Sequence, residues 1–294
     1  MTVPLFIALP GNDDLARRIA ELAGGETGIL ETHSFPDGET RLRFRGELSG
    51  RTVILVCTLA QPDLKLPGLL FAAQGARSAG ASQLGLIAPY LAYMRQDSAF
   101  QPGEIVSAQA LAGLLSQNFD WLITVDPHLH RIRALDDIYT VPAVAAHAAP
   151  ALAAWITAKV KNPFLIGPDE ESRQWVSAVA NRCGASFAVL AKTRFGDRKI
   201  SVDSEAAIPP GATPVLLDDI ISSGATAIEA LRMLPNGSEA IVMAIHGVCS
   251  QGALDRLRQM GVRVVTTNTV PNPAAQIDIT PVLAAAMKTL PLLA

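Results

Sequence analysis

Two adjacent carboxylates, Asp218 and Asp219, follow the apolar run Val215-Leu216-Leu217, and after Ile220-Ile221 the chain continues Ser222-Ser223-Gly224-Ala225-Thr226. The apolar run reads as a short buried strand ending at the acids. Ala225–Leu231 reads as a helix, so the small, hydroxyl-bearing residues fall on the turn into it. Such a turn aims several backbone N–H groups and the positive end of a helix at one point, which suits a phosphate. The carboxylates cannot hold that phosphate, because like charges repel, but they can accept hydrogen bonds from sugar hydroxyls nearby. An anion cradle beside hydroxyl acceptors fits a sugar phosphate. An ordinary strand-turn-helix, with Asp219 as a cap and Gly224 as a turn residue, explains the same residues without a ligand.

Five other stretches carry chemistry. Arg95-Gln96-Asp97 comes shortly after the strand-like Leu84–Ala88; a guanidinium at a strand's C-terminal end makes a good phosphate clamp, and a surface pair with Asp97 is the plain reading. Asp126-Pro127-His128-Leu129-His130 follows the buried run Trp121–Val125, at the edge where open α/β sheets take ligands. An isolated histidine is more often structural. Asp169-Glu170-Glu171 follows the strand Phe164–Gly167 and opens a helix through Ala180, where acids are ordinary dipole partners. Facing phosphates, Glu170 and Glu171 would repel them or recruit a further cation. Lys192-Thr193-Arg194 begins a basic stretch that composition reads equally as a solvated hairpin. Phe35-Pro36-Asp37-Gly38-Glu39 is a turn between Ile29–Ser34 and the alternating Thr40–Arg45.

The elements that must position these residues alternate strand and helix throughout. Leu5–Leu9 predicts a first strand, Asn12 caps a helix with Leu15, Ile19 and Leu22 on its apolar face, and Gly24-Gly25 stops it. Thr52–Cys57 is a buried strand, a helix runs from about Pro67 to Ala79, and Ser107 caps another through Leu115. Ala143–Lys161 reads as an Ala-rich helix and marks the domain crossover. The second half repeats the plan with strands at Ser186–Ala191, Glu239–His246 and Val262–Thr266 and a helix at Gly252–Met260. The 294 residues predict two domains, 1–145 and 146–294. Hydrophobic residues make up 49% and charged residues 17%, which fits a globular α/β protein. A net charge of −3 gives no global basic field for nucleic acid or an anionic membrane, so cations for phosphates must be local. Cys57, Cys183 and Cys249 have no metal spacing; Cys57 and Cys183 read as core fillers in a reducing compartment. No apolar run reaches membrane-span length, and the N-terminus has no basic leader, so a cytoplasmic protein is expected.

The string Val215–Thr226 resembles the signature by which phosphoribosyltransferases and ribose-phosphate pyrophosphokinases bind ribose 5-phosphate or its diphosphate. Pro89-Tyr90 followed by Tyr93 and Arg95-Gln96-Asp97, together with Asp126-x-His128 and Lys192-x-Arg194, is similar to the pyrophosphokinase family alone. The second histidine, His130, matches archaeal-type members. Thr267–Pro271 and Ile277–Pro281 resemble the family's ending, so the likeness runs along nearly the whole chain. The resemblance implies two Rossmann-like, phosphoribosyltransferase-type α/β domains with parallel-rich sheets and the site between them. It implies that Arg95, Gln96 and Asp97 serve ATP. Phe35 would stack on its base, with Asp37 and Glu39 reading the polar edge, from a neighbouring subunit of a homo-oligomer. His128 and Asp169 would hold magnesium (Mg2+). Lys192 and Arg194 would lie on a catalytic loop closing over ATP. Asp218, Asp219, Ser222, Ser223, Gly224, Ala225 and Thr226 would bind ribose 5-phosphate. The implied activity is Mg-dependent diphosphoryl transfer from ATP to ribose 5-phosphate, a step of nucleotide biosynthesis. Alternatives are a phosphoribosyltransferase, a non-catalytic regulatory homologue, or a synthase acting on a related pentose phosphate. The family commonly has small residues after the Asp169 position, so Glu170-Glu171 is a departure.

Overall fold

The computed structural model describes residues 3–190, 208–235 and 239–290. The chain divides into two compact units, one running to Ala146 and rejoined from Thr280 onward, the other His147–Ile279.

In the first unit the order is β1 (Leu5–Ala8), α1 (Asp13–Ala23), β2 (Glu26–Ser34), β3 (Thr40–Arg45), β4 (Thr52–Val56), α2 (Pro62–Ser78), β5 (Gln83–Ala88), α3 (Ser107–Asn118), β6 (Trp121–Val125) and β7 (Ala143–Ala146). The sheet order is β3-β2-β1-β4-β5-β6-β7, parallel except for the β2–β3 hairpin. Val53–Val56 and Trp121–Val125 are wholly buried, as parallel strands covered on both faces must be. β3 instead alternates, with Leu42 and Phe44 packed inward and Arg41, Arg43 and Arg45 exposed. α1 buries Leu15, Ala16, Ile19 and Ala20 on one stripe and stops where Gly24 turns left-handed at φ 70°.

The second unit continues with α4 (Ala149–Lys159), β8 (Pro163–Gly167), α5 (Arg173–Cys183), β9 (Ser186–Val189), β10 (Thr213–Ile221), α6 (Ala225–Leu231), β11 (Ile241–Gly247), α7 (Ala253–Gln259), β12 (Arg263–Thr267) and β13 (Ala275–Ile277). Its order is β13-β12-β11-β10-β8-β9, parallel throughout. The final helix α8 (Thr280–Met287) packs in the first unit, against α1, β6 and β7.

Both sheets follow one winding. The first strand of each unit is flanked by the second on one side and, on the other, by the strand that starts the run to the far edge; β3 is an antiparallel addition to the first. The switch point, where an open α/β sheet opens a crevice beyond its strand ends, therefore lies between β1 and β4 in one unit and between β8 and β10 in the other.

Several expectations are corrected. Residues 143–146 form β7, paired with β6, and the helix starts only at Ala149 with Pro150 in its first turn. α2 starts at Pro62, so Pro67 lies inside it. Asn12 occupies the cap position of α1 but makes no side-chain cap bond. Its amide instead donates to the carbonyls of Leu9 and Pro10 at 3.1 Å each, and its Oδ1 accepts from the Thr58 N–H at 2.9 Å. Cys183 is half-buried on the last turn of α5 rather than in the core, whereas Cys57 is buried and its thiol is pushed up to about 11 by that burial.

Candidate active site

In the second unit β10 does not stop before the acids. Its ladder with β11 continues to Ile221 opposite Gly247, because the main chain of residues 218–221 finds partners there. Strand alternation sends neighbouring side chains to opposite faces, leaving Asp219 buried and Asp218 half-buried. The Asp219 N–H donates to Asp218 Oδ1 at 2.9 Å. Burial, then the charge of Asp219, and further that of Asp169 push the Asp218 carboxyl up to about 8, against the pull of the Asp219 N–H. Asp169 follows the end of β8, the neighbour of β10. These acids thus meet at the switch point of this sheet.

Asp169 is extended at φ −160° and caps a single 3-10 turn, Glu170–Ser172, by accepting from the Ser172 N–H. The turn is wrapped tightly on β8: a Cβ on Gly167 would lie 2.2 Å from Ser172 Oγ. The regular helix α5 therefore opens at Arg173, not at residues 168–171. Glu170 turns back onto this element, bonded to the Arg173 guanidinium through both oxygens at 2.5 and 3.0 Å, and the arginine holds its carboxyl below the usual range.

Beyond β10 the turn is set by Gly224, at φ +79°, a conformation that strains any residue with a Cβ. Ser222 is half-buried, Ser223, Ala225 and Thr226 are exposed, and the Gly224 carbonyl accepts the first bond of α6 from Ile228 at 2.9 Å. The structure thus brings Asp169, Asp218, Asp219 and the 222–226 turn into one unit.

In the first unit Phe35, Asp37 and Glu39 share the turn of the β2–β3 hairpin, and all three are exposed. The Phe35 N–H donates to the Glu39 carbonyl at 2.8 Å, and Asp37 Oδ1 accepts from the Glu39 N–H at 3.1 Å. Phe35 meets His33 edge-on at 4.8 Å. Glu39 also borders a cavity of about 810 Å³ between the hairpin, the start of α2 and the ends of β1 and β4, with Lys65 in its wall.

Arg95 is exposed beyond β5, and Gln96 is tied down: its Oε1 accepts from Ser107 Oγ at 2.8 Å and its Nε2 donates to Glu104 at 3.3 Å. The Asp97 side chain is 3% exposed. It accepts from the Arg131 N–H at 2.9 Å and the Arg131 guanidinium at 3.0 Å. Burial works to raise its carboxyl, yet the Arg131 N–H and guanidinium together hold it below the usual range. Asp97 thereby joins the loop after β5 to the segment carrying half-buried His128 and exposed His130. Asp126, at the start of that segment, is buried with φ 31°, a strained backbone of the kind found at functional edges.

Lys192 and Arg194 lie outside the described residues. Sequence reasoning missed Glu104, which accepts from the Phe100 and Gln101 N–H groups at 2.6 and 3.0 Å, and Arg131, whose guanidinium lies 5.1 Å from the Phe100 ring centre. Arg131 directly follows His130 and was the more visible of the two. Among the described residues no group of three or more His, Cys, Asp or Glu gathers closely enough to hold a metal ion. That donor set does not make a protein cage, but it fits a cation carried mostly by phosphates and water with one or two protein ligands.

Two sheets of this winding, one with acids and a glycine-led turn at its switch point, define an α/β protein of the phosphoribosyltransferase type. Residues 134–280 match the phosphoribosyl transferase domain, and residues 5–118 match the N-terminal domain of ribose phosphate pyrophosphokinase. A ribose-phosphate pyrophosphokinase of Methanopyrus kandleri is 36% identical over 94% of this chain and 96% of its own. Another, of Methanosarcina acetivorans, is 32% identical over 97% of this chain and 99% of its own. The crystal structure of phosphoribosylpyrophosphate synthetase from Mycobacterium smegmatis superposes with a TM-score of 0.81 at 25% identity, covering 97% of each chain. The chain belongs to the ribose-phosphate pyrophosphokinase family of enzymes.

Proposed function

We propose that the chain transfers the diphosphoryl group of ATP to the 1-hydroxyl of ribose 5-phosphate, giving 5-phosphoribosyl 1-diphosphate and AMP. The observation that carries this reading is the set of crowded acids, Asp169, Asp218 and Asp219, beside the Gly224 turn. Carboxylates crowded beside such a turn suit hydroxyl donors and a divalent ion carried with phosphates. Asp218 and Asp219 orient the ribose hydroxyls, and the 222–226 turn holds the 5-phosphate.

The sugar's 1-oxygen bonds to the β-phosphorus as the bond from that phosphorus to the α,β-bridging oxygen breaks. The electron pair leaves on AMP, and the hydroxyl proton passes to water. Arg95 and Gln96 serve the ATP phosphates and base, and Asp97 keeps their loop fastened to the His128 segment. Lys192 and Arg194 supply cations to the charge that develops on the leaving group. His128 and Asp169 would hold magnesium, which when bound supplies charge neutralisation to the triphosphate. Phe35, Asp37 and Glu39 reach the adenine of a neighbouring subunit, so the working form is a homo-oligomer of at least two chains. The three cysteines are free, which fits a reduced cytoplasmic protein making a precursor for nucleotides.

The test is AMP release from Mg-ATP with and without ribose 5-phosphate, for the natural chain and Lys192→Ala. Release that needs the sugar and falls at least about 100-fold in the variant is expected, by analogy with the loss of one transition-state charge contact. No turnover with any pentose phosphate, in a folded protein, overturns the reading in favour of a regulatory homologue. Turnover only in the presence of a free base and the diphosphate points to a phosphoribosyltransferase.

A further inference from the structure

The 222–226 turn is gripped from outside by the segment that follows β11. The Ser222 carbonyl accepts from the Ser250 N–H at 3.1 Å, and the Ser223 carbonyl accepts from Arg256 Nη2 at 2.9 Å. Beneath them, Leu257 Cδ1 would meet a Cβ on Gly224 at 3.5 Å, so α7 also backs the turn with an apolar side chain. Arg256 itself is set by α7, its N–H donating to the Gly252 carbonyl at 3.0 Å.

A trans peptide holds its C=O and the next residue's N–H antiparallel in one plane. Pinning the Ser222 carbonyl toward Ser250 therefore turns the Ser223 N–H the opposite way. Pinning the Ser223 carbonyl toward Arg256 does the same for the Gly224 N–H. Two successive amides are thus aimed away from α7, and without the second bond the peptide ahead of Gly224 is free to flip, because glycine accepts either orientation at low cost.

We infer that Arg256 is a positioning residue for the sugar phosphate: by holding the Ser223 carbonyl, it keeps the Gly224 N–H aimed at the 5-phosphate. The inference rests on the functional reading above. Arg256 acts through the backbone of the turn, with the charge of its guanidinium strengthening a bond to a neutral carbonyl. Neither the acidic pair nor the turn residues themselves reveal it, since it stands 33 residues further on.

Steady-state kinetics of the full-length chain, Arg256→Met and Arg256→Lys test it. For the Met variant the KM for ribose 5-phosphate is expected to rise about tenfold, the scale of one charge-assisted hydrogen bond. The KM for ATP and the kcat at saturating sugar stay within about twofold, since the aimed amide serves ground and transition state alike. The Lys variant, which still offers an N–H to the carbonyl, recovers most of the loss. An unchanged KM for ribose 5-phosphate in the Met variant overturns the inference. So does a parallel worsening of both KM values and kcat with a lowered melting temperature, which marks a purely structural role. Failure of the natural chain to form AMP in response to ribose 5-phosphate overturns the functional reading, and the inference with it.

Discussion

The two switch points occupy the same place in the same winding, and their contents are opposite. Between β1 and β4 the polar groups satisfy one another: Asn12 bonds two carbonyls of its own loop and reaches across to the Thr58 N–H, and it is 3% exposed. Between β8 and β10 stand Asp169, Asp218 and Asp219, where burial and then the neighbouring charges force the Asp218 carboxyl upward. One arrangement is complete without a ligand and serves the fold. The other crowds acids so that burial and their charges raise the Asp218 carboxyl. The first unit shows the same division within itself, for Asp97 is as buried as a core residue but fully engaged by Arg131.

The largest effect that sharpens this contrast is expected from Asp218→Asn. Sugar-dependent AMP formation should fall about 100-fold or more, the scale of losing a charged acceptor for a bound hydroxyl. Stability should move the other way. Because the folded carboxyl is raised to about 8 from an ordinary 3.8, its contribution to stability is full below the ordinary value and lost as pH climbs through 8. Thermal melts in EDTA should show the variant gaining on the natural chain between pH 5 and pH 9, by about 3 °C or more at the alkaline end. A constant gap across that range would place the carboxylate in a compensated environment like that of Asp97.

A smaller and purely structural effect is expected at the other switch point. Asn12→Ala removes a buried amide with three bonds, among them the acceptor of the Thr58 N–H, which costs about 2–3 kcal/mol. Urea unfolding should report that loss, while the KM for ribose 5-phosphate stays within about twofold. A large change in that KM with little loss of stability would mean that this switch point also serves the sugar.

Much of this contrast was legible where local chemistry decides the outcome. The β2–β3 hairpin turn, the buried run Trp121–Val125 and the helix Ala225–Leu231 follow from turn residues, apolar continuity and small-residue starts. The residues proposed for the sugar phosphate stand out in the sequence because acids in an apolar strand have few structural uses. What failed was decided by partners distant in sequence. Residues 143–146 are Ala-rich and favour a helix, but pairing with β6 makes them a strand; Pro150, a first-turn residue, was the missed sign of the true start. Pro62 gave the same unheeded signal for α2. The extension of β10 past its acids depends on β11, which local pattern does not reveal. Asn12, read as a cap, is a bridge only because β1 and β4 are neighbours. Glu104 and Arg131 emerge only when their loops are folded.

The central claim, that the acids and turn at the β8–β10 switch point are the sugar-phosphate site, is tested most directly by backbone amide shifts in a TROSY titration with ribose 5-phosphate. The largest changes are expected at Asp219, Ser223, Gly224 and Thr226, with Asn12 and Thr58 little moved. Changes centred on Leu9–Asn12 and Thr58, with the 218–226 amides still, would contradict it.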